Sequence, residues 1–189
     1  MGYIEDLRKL IGHKRIVLNG SLVIIENKDG KILMQKRTYP KGKWGLPGGL
    51  MELGESTVET AVREVREETN LTVENLKLLG VYSGKDHLCK AENGDEWYVV
   101  VTAYTTKDFS GTLMINDGES EALEWFYPEE IPKNIPSTHR LVIDDYKNGL
   151  IKTDFLKIKR TKLLLSPFLE LIGRLELPTS SLPRMCSTT

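Results

Sequence analysis

Cysteine is scarce: Cys89 and Cys186 are the two thiols of a 189-residue chain. So few and so far apart, they build neither a disulfide framework nor a cysteine-rich zinc site, and they suit a reducing compartment. Histidine is hardly commoner. His13, His87 and His139 are isolated from one another, which marks them as surface or packing residues rather than ligands. No apolar run approaches the roughly 20 residues that span a bilayer. The opening Met1-Gly2-Tyr3-Ile4-Glu5-Asp6 lacks the basic-then-apolar order of an export signal. The expectation is a cytoplasmic protein without a membrane partner.

A strong charge of one sign is also lacking, since 26 Lys and Arg face 27 Asp and Glu. The distribution is uneven. Residues 149–189 hold seven basic against three acidic side chains, and the net −1 of the whole chain leaves −5 on the first 148 residues. An acidic body that handles phosphates needs cations between itself and its substrate, whereas a nucleic-acid binder working through counterion release is basic. The balance argues against a stable nucleic-acid complex and leaves a small nucleotide substrate open.

What is present is an ordinary composition, 40% hydrophobic and 28% charged, on a length that suits one domain with a substantial core. Ile4, Leu7, Leu10 and Ile11 mark a short amphipathic helix ending at Gly12. Strands are expected at 16–18, 22–25 and 32–37, the last two joined by the hairpin signal Asn27-Lys28-Asp29-Gly30. A loop over 38–43 leads into Trp44-Gly45-Leu46-Pro47-Gly48-Gly49. Further strands are expected at 76–82, 97–104 and 124–127, and a closing helix at 137–147. Short strands mixed with a few helices point to an α+β domain.

The most informative segment runs from Gly49 to Leu71. Ser56 followed by Glu59 forms a capping box, so a helix should start just after Ser56. Val58, Ala61, Val62, Val65 and Thr69 recur at the spacing of a buried stripe. Asn70 falls where a left-handed residue ends a helix. On this helix Glu64, Glu67 and Glu68 converge on one patch of surface, with Arg63 one turn before Glu67 as the only basic partner in reach. Either the patch is a solvated acidic face, or a hard divalent cation with oxygen ligands neutralises it.

The segment resembles the box of the Nudix family, the MutT-like diphosphohydrolases: Gly, five residues, Glu, seven residues, Arg-Glu, an aliphatic residue, any residue, Glu-Glu, any residue, Gly, an aliphatic residue. Gly49, Glu55, Arg63, Glu64, Val65, Glu67, Glu68 and Leu71 match it, and Asn70 stands where the family has Gly. Asn tolerates the left-handed conformation, so the departure implies a small stability cost and an intact site. The resemblance implies an α/β/α sandwich, in which a mixed sheet lies between helices and the box forms a loop-helix-loop. It implies a Nudix hydrolase domain over residues 1–149, leaving 150–189 as a C-terminal extension that it does not cover.

The same resemblance implies the site. Glu67 and Glu68 are the leading ligands for Mg²⁺, with Mn²⁺ as a substitute. Glu64 is either a further ligand or the base that takes a proton from the attacking water. Arg63 orients the glutamates, and Glu55 anchors the loop through Arg63 or binds a second metal. The carbonyl of Gly49 is a candidate ligand, and Gly48 and Gly49 let backbone approach the metal. In the acidic loop Asp117-Gly118-Glu119-Ser120-Glu121, Glu119 is better spaced than Glu121 to add a carboxylate. Arg37, at a strand end, is the candidate for substrate phosphates, and Trp44 suits the core better than a stacking role.

The chemistry implied is hydrolysis of a pyrophosphate bond in a nucleoside diphosphate linked to another group, giving a nucleoside monophosphate and a phosphorylated product. The alternative is a Nudix-fold sensor that binds a nucleotide without cleaving it. Signatures of particular substrates within the family are missing: the proline that the resemblance implies for ADP-ribose hydrolases, about fifteen residues past the box, has no counterpart near Asp86, and the tyrosine of dinucleoside polyphosphate hydrolases has none at His87, Leu88 and Cys89. The partner expected is a small nucleotide, and a homodimer is compatible with the sequence.

Overall fold

The computed structural model describes residues 2–115 and 118–149. The extension at 150–189, with Cys186, and Asp117 of the acidic loop lie outside the described residues. In chain order the elements are α1 (Tyr3–Ile11), β1 (Ile16–Ile25), β2 (Ile32–Arg37), β3 (Trp44–Gly45), β4 (Gly48–Leu50), α2 (Thr57–Thr69), β5 (Thr72–Glu74) and β6 (Lys77–Tyr82). After a 3₁₀ turn at Lys85–His87 come β7 (Leu88–Lys90), β8 (Glu96–Thr106), β9 (Asp108–Ser110), β10 (Ser120–Phe126) and α3 (Ser137–Lys147).

The central sheet has the order β4-β1-β8-β6, with β7 also on β8. It is mixed: β1 and β8 run parallel from Ile16 opposite Trp97 to Ile25 opposite Thr106, while β4, β6 and β7 pair antiparallel. Two smaller sheets, β10-β2-β3 and β5-β9, flank it. Strand alternation divides the apolar side chains between two cores. Leu22 and Ile24 point with Val99, Val101 and Ala103 towards Val142 and Ile143 of α3. Val23 and Ile25 point with Leu33 and Tyr104 towards Ala61 and Val65 of α2. With α3 on one face of the sheet and α2 on the other, the architecture is the expected α/β/α sandwich.

Both ends of α2 are built as the sequence specifies. Ser56 Oγ accepts from the Glu59 amide and Glu59 Oε2 accepts from the Ser56 amide, completing the capping box. Asn70 sits at φ 62° and its amide closes on the Arg66 carbonyl at 3.1 Å. The buried stripe is rotated from the expected one: Thr60, Ala61, Val65, Glu68 and Thr69 face inward, and Val58 is 44% exposed in the first turn.

Elsewhere β1 runs unbroken through Gly20, because its pairing with β8 continues on both sides of the glycine. The strands β3, β4, β5, β7 and β9 depart from the sequence expectation; each has two or three residues, too short for a periodic signal. Trp44 packs edge-on against Phe126 beside the α3-side core. Among the described residues no helix is long and apolar enough to cross a membrane.

Candidate active site

The register of β4 against β1 sets the site. Ser21 faces Gly49 and Leu22 faces Gly48, and α2 lies against both strands, so its carboxylates meet the two glycines. Arg63 is the hub of the cluster. Its Nε donates to Glu55 Oε1 at 2.6 Å and its Nη2 to Glu55 Oε2 at 3.0 Å, a bidentate fork. Nη1 reaches Glu64 Oε1 at 2.9 Å and Glu67 Oε2 at 3.1 Å, and Nη2 also holds the Leu50 carbonyl at 3.0 Å. Helix spacing offers Arg63 one partner on the helix, Glu67, and it holds Glu64 there as well; its bond to Glu55 is the loop anchor that the resemblance implies. Glu64 lies beside Arg63 in sequence, and the long guanidinium folds back far enough to bridge neighbours that helix spacing alone keeps apart.

These contacts fix the charges. The Arg63 hydrogen bonds, helped by the Glu52 amide and the Thr60 hydroxyl, hold the Glu55 carboxyl down at about 2 against the burial that raises it. Glu55 in turn raises Arg63. Burial pushes the Glu64 carboxyl above its usual range, with Arg63 opposing and the charges of Glu67 and Glu119 adding to the rise. Glu119 is exposed, and its backbone carbonyl accepts from the Thr38 amide at 2.8 Å just past the end of β2. Glu121 instead pairs with Lys36 at 2.9 Å.

Glu68 departs from the expected surface patch, because it is 3% exposed. It lies seven residues from Ala61 and so on the same inward face. Its Oε1 accepts from Gln35 Nε2 at 2.9 Å and its Oε2 from the Gly48 amide at 2.8 Å. Gln35 accepts in turn from Ser120 Oγ at 2.8 Å. Burial drives the Glu68 carboxyl up to about 8, against the hydrogen bond from Gln35, the charge of Arg37 and the Gly48 amide. Nothing in the sequence marks Gln35 or Ser120, because a Gln in a strand and a Ser within an acidic loop carry no signal.

Gly49 is where backbone and carboxylate meet. A Cβ there would sit 2.5 Å from the Glu64 carboxyl carbon, so a side chain at this position would displace the glutamate. Gly48 has φ 138°, and a Cβ on it would overlap the Ser21 carbonyl.

Among the described residues no three acidic, histidine or cysteine side chains already stand in coordinating positions: Arg63 holds Glu64 and Glu67, while Gln35 and Gly48 hold Glu68. The donor set nevertheless fits a hard cation. It offers only oxygens, two of its carboxyls are raised by burial that a cation would offset, and the space at Gly49 is kept open for Glu64.

A cleft of about 470 Å³ opens beside the cluster, with Gly48 and Gly49 in one wall. Leu22, Trp97, Val99 and Val101 line it with apolar surface, and Arg37, Lys43 and His139 bring polar groups to it. Arg37 thus lies in the cleft, its Nε donating to the Tyr39 carbonyl at 3.1 Å. His139 is buried, and its Nδ1 accepts from the Leu46 amide at 3.0 Å. A cleft with apolar walls, a few fixed polar groups and a carboxylate cluster at its edge can bind a phosphorylated organic molecule and place one phosphate at the carboxylates.

Comparison with known proteins gives the same picture. The family model for the NUDIX domain matches residues 18–146. The chain is 38% identical over 152 residues to an ADP-ribose pyrophosphatase of Methanocaldococcus jannaschii, covering 77% of this chain and 83% of the relative. It is 29% identical over 126 residues to a MutT-like protein of Streptomyces ambofaciens, covering 67% of this chain and 74% of the relative. The crystal structure of a MutT NUDIX hydrolase from Burkholderia pseudomallei superposes with a TM-score of 0.58 at 30% identity, covering 68% of this chain and 97% of that one.

Proposed function

Because the chain belongs to the Nudix family of hydrolases, we propose that it cleaves, with Mg²⁺, the pyrophosphate bond of a nucleoside diphosphate linked to another group, ADP-ribose being the first substrate to test. The products are a nucleoside monophosphate and a phosphorylated remainder. The observation that carries this reading is the Arg63 fork, which gathers Glu55, Glu64 and Glu67 at the edge of a cleft walled by Gly48 and Gly49.

In this reading Glu67 and Glu68 hold the cation, with Glu119 and the Gly49 carbonyl as further oxygens. When bound, Mg²⁺ neutralises the pyrophosphate oxygens and makes water a stronger nucleophile. Glu64 accepts the proton of the attacking water as the water oxygen bonds to phosphorus and the bridging P–O bond breaks. Arg63 holds Glu64 Oε1 and leaves Oε2 for that proton, and burial makes the carboxyl a better base than an exposed glutamate. Arg63 and Glu55 position the catalytic groups, and Arg37, which lines the cleft, binds a substrate phosphate.

The M. jannaschii relative supports a sugar-linked diphosphate. Similarity over that much of both chains weighs more than the missing proline near Asp86. The test is product formation from nucleoside triphosphates, nucleotide sugars, ADP-ribose and dinucleoside polyphosphates, with Mg²⁺ or Mn²⁺, beside a Glu67→Gln control. Turnover that vanishes in the control supports the reading. Binding without turnover across the whole panel overturns it in favour of a sensor.

A further inference from the structure

His139 has a fixed tautomer. The Leu46 amide donates to its Nδ1 at 3.0 Å. A ring nitrogen that accepts carries no proton, so the neutral imidazole bears its hydrogen on Nε2. Burial, reinforced by the Arg37 charge, pulls His139 down to about 3, and the ring stays neutral at physiological pH. Among the described residues Nε2 has no hydrogen-bond partner, yet the residue lines the cleft. A donor held rigidly in a cleft wall, with no protein acceptor, is completed by an acceptor on a ligand.

Its neighbours say which acceptor. A Cβ on Gly45 would lie 3.2 Å from His139 Cε1 and 3.4 Å from Arg37 Cδ, so both side chains cross the same glycine. Leu46, whose amide fixes His139, also accepts through its carbonyl from Gln35 Nε2 at 3.4 Å, and that side-chain amide holds Glu68. The donor is therefore tied through one residue to the carboxylate cluster and stands beside the Arg37 guanidinium.

We propose that His139 is a substrate-contacting residue that donates its Nε2–H to a phosphoryl oxygen of the bound nucleotide, at a subsite shared with Arg37. This rests on the reading of the cleft as a nucleotide site.

Two substitutions separate the ring's two roles. His139→Asn offers Leu46 an acceptor and removes the Nε2 donor; His139→Gln carries a donor to the Nε2 position and gives up the Leu46 bond. Binding of AMP and of adenosine to the full-length protein in Mg²⁺ is measured by calorimetry, with thermal unfolding alongside. His139→Asn is expected to weaken AMP about tenfold or more, the loss of a hydrogen bond to a charged group, and to change adenosine by less than about twofold. His139→Gln is expected to stay within about threefold of wild type for AMP while unfolding at a lower temperature.

In the unsubstituted protein the imidazole ¹⁵N spectrum is expected to show the Nε2–H tautomer and to move with AMP but not with adenosine, a readout that needs no variant to fold. The proposal is overturned if AMP does not bind the wild type, if His139→Asn binds AMP normally, if AMP and adenosine weaken together, or if the ring resonances ignore AMP. Hydrolysis is read separately. A protein that binds AMP through His139 without cleaving anything removes the hydrolase reading alone, and a hydrolase indifferent to His139→Asn removes the subsite alone.

Discussion

Arg63 grips Glu55 with two parallel hydrogen bonds, Nε to Oε1 at 2.6 Å and Nη2 to Oε2 at 3.0 Å. The fork leaves Nη1 aimed at Glu64 and Glu67, so a structural anchor and the alignment of two further carboxylates depend on one planar group. A lysine keeps the charge and loses the plane. Arg63→Lys is expected to destabilise by about 1–3 kcal/mol and to lower kcat at least about tenfold, with KM changed far less. Urea unfolding and steady-state kinetics check it.

Glu55 gives a pH signature. Its folded-state value of about 2 lies below the ordinary 4.5, so the stability it contributes is present above about 4.5 and is lost as pH falls towards 2. The stability difference between wild type and Glu55→Gln, from urea unfolding at a series of pH values, is expected to be largest near neutrality and to shrink steadily below pH 4.5.

Glu68 titrates in the opposite sense. With its carboxyl raised to about 8 from the ordinary 4.5, the folded form is favoured at low pH and loses stability as pH rises through that interval. Glu68→Gln is expected to abolish this loss in metal-free protein, leaving Tm at pH 8 at or above that of wild type, while metal-dependent turnover falls at least about a hundredfold. Added Mg²⁺ is expected to raise the Tm of wild type and not of the variant.

Gly49→Ala places a methyl group 2.5 Å from the Glu64 carboxyl carbon. Glu64 must move, and turnover is expected to fall about a hundredfold or more for a stability cost of about 1–3 kcal/mol. Kinetics and thermal unfolding of the variant check both.

Much of this was legible in the chain and some was not, for physical reasons. The capping box at Ser56 and Glu59 and the left-handed Asn70 are local, so α2 could be read to the residue. Arg63 and Glu55 share a loop and a helix close in sequence. The burial of Glu68 was hidden: an acid on a helix normally signals the wet face, and only the amide of Gly48 and the side chain of Gln35, 33 residues away, make its inward position tolerable. His139 is expected from the sequence to be a surface or packing residue; it is buried, and its ring is fixed by Leu46, 93 residues earlier, a contact no spacing rule encodes. The rotation that exposed Val58 is set by how α2 meets β1 and β4.

The most direct measurement is hydrolysis of ADP-ribose by the full-length protein with and without Mg²⁺, wild type beside Glu67→Gln. The expected result is AMP and ribose 5-phosphate formed only with metal, at a rate at least about a hundredfold lower in the variant. Turnover untouched by Glu67→Gln, or no turnover of ADP-ribose or any other nucleoside diphosphate derivative, would contradict the account.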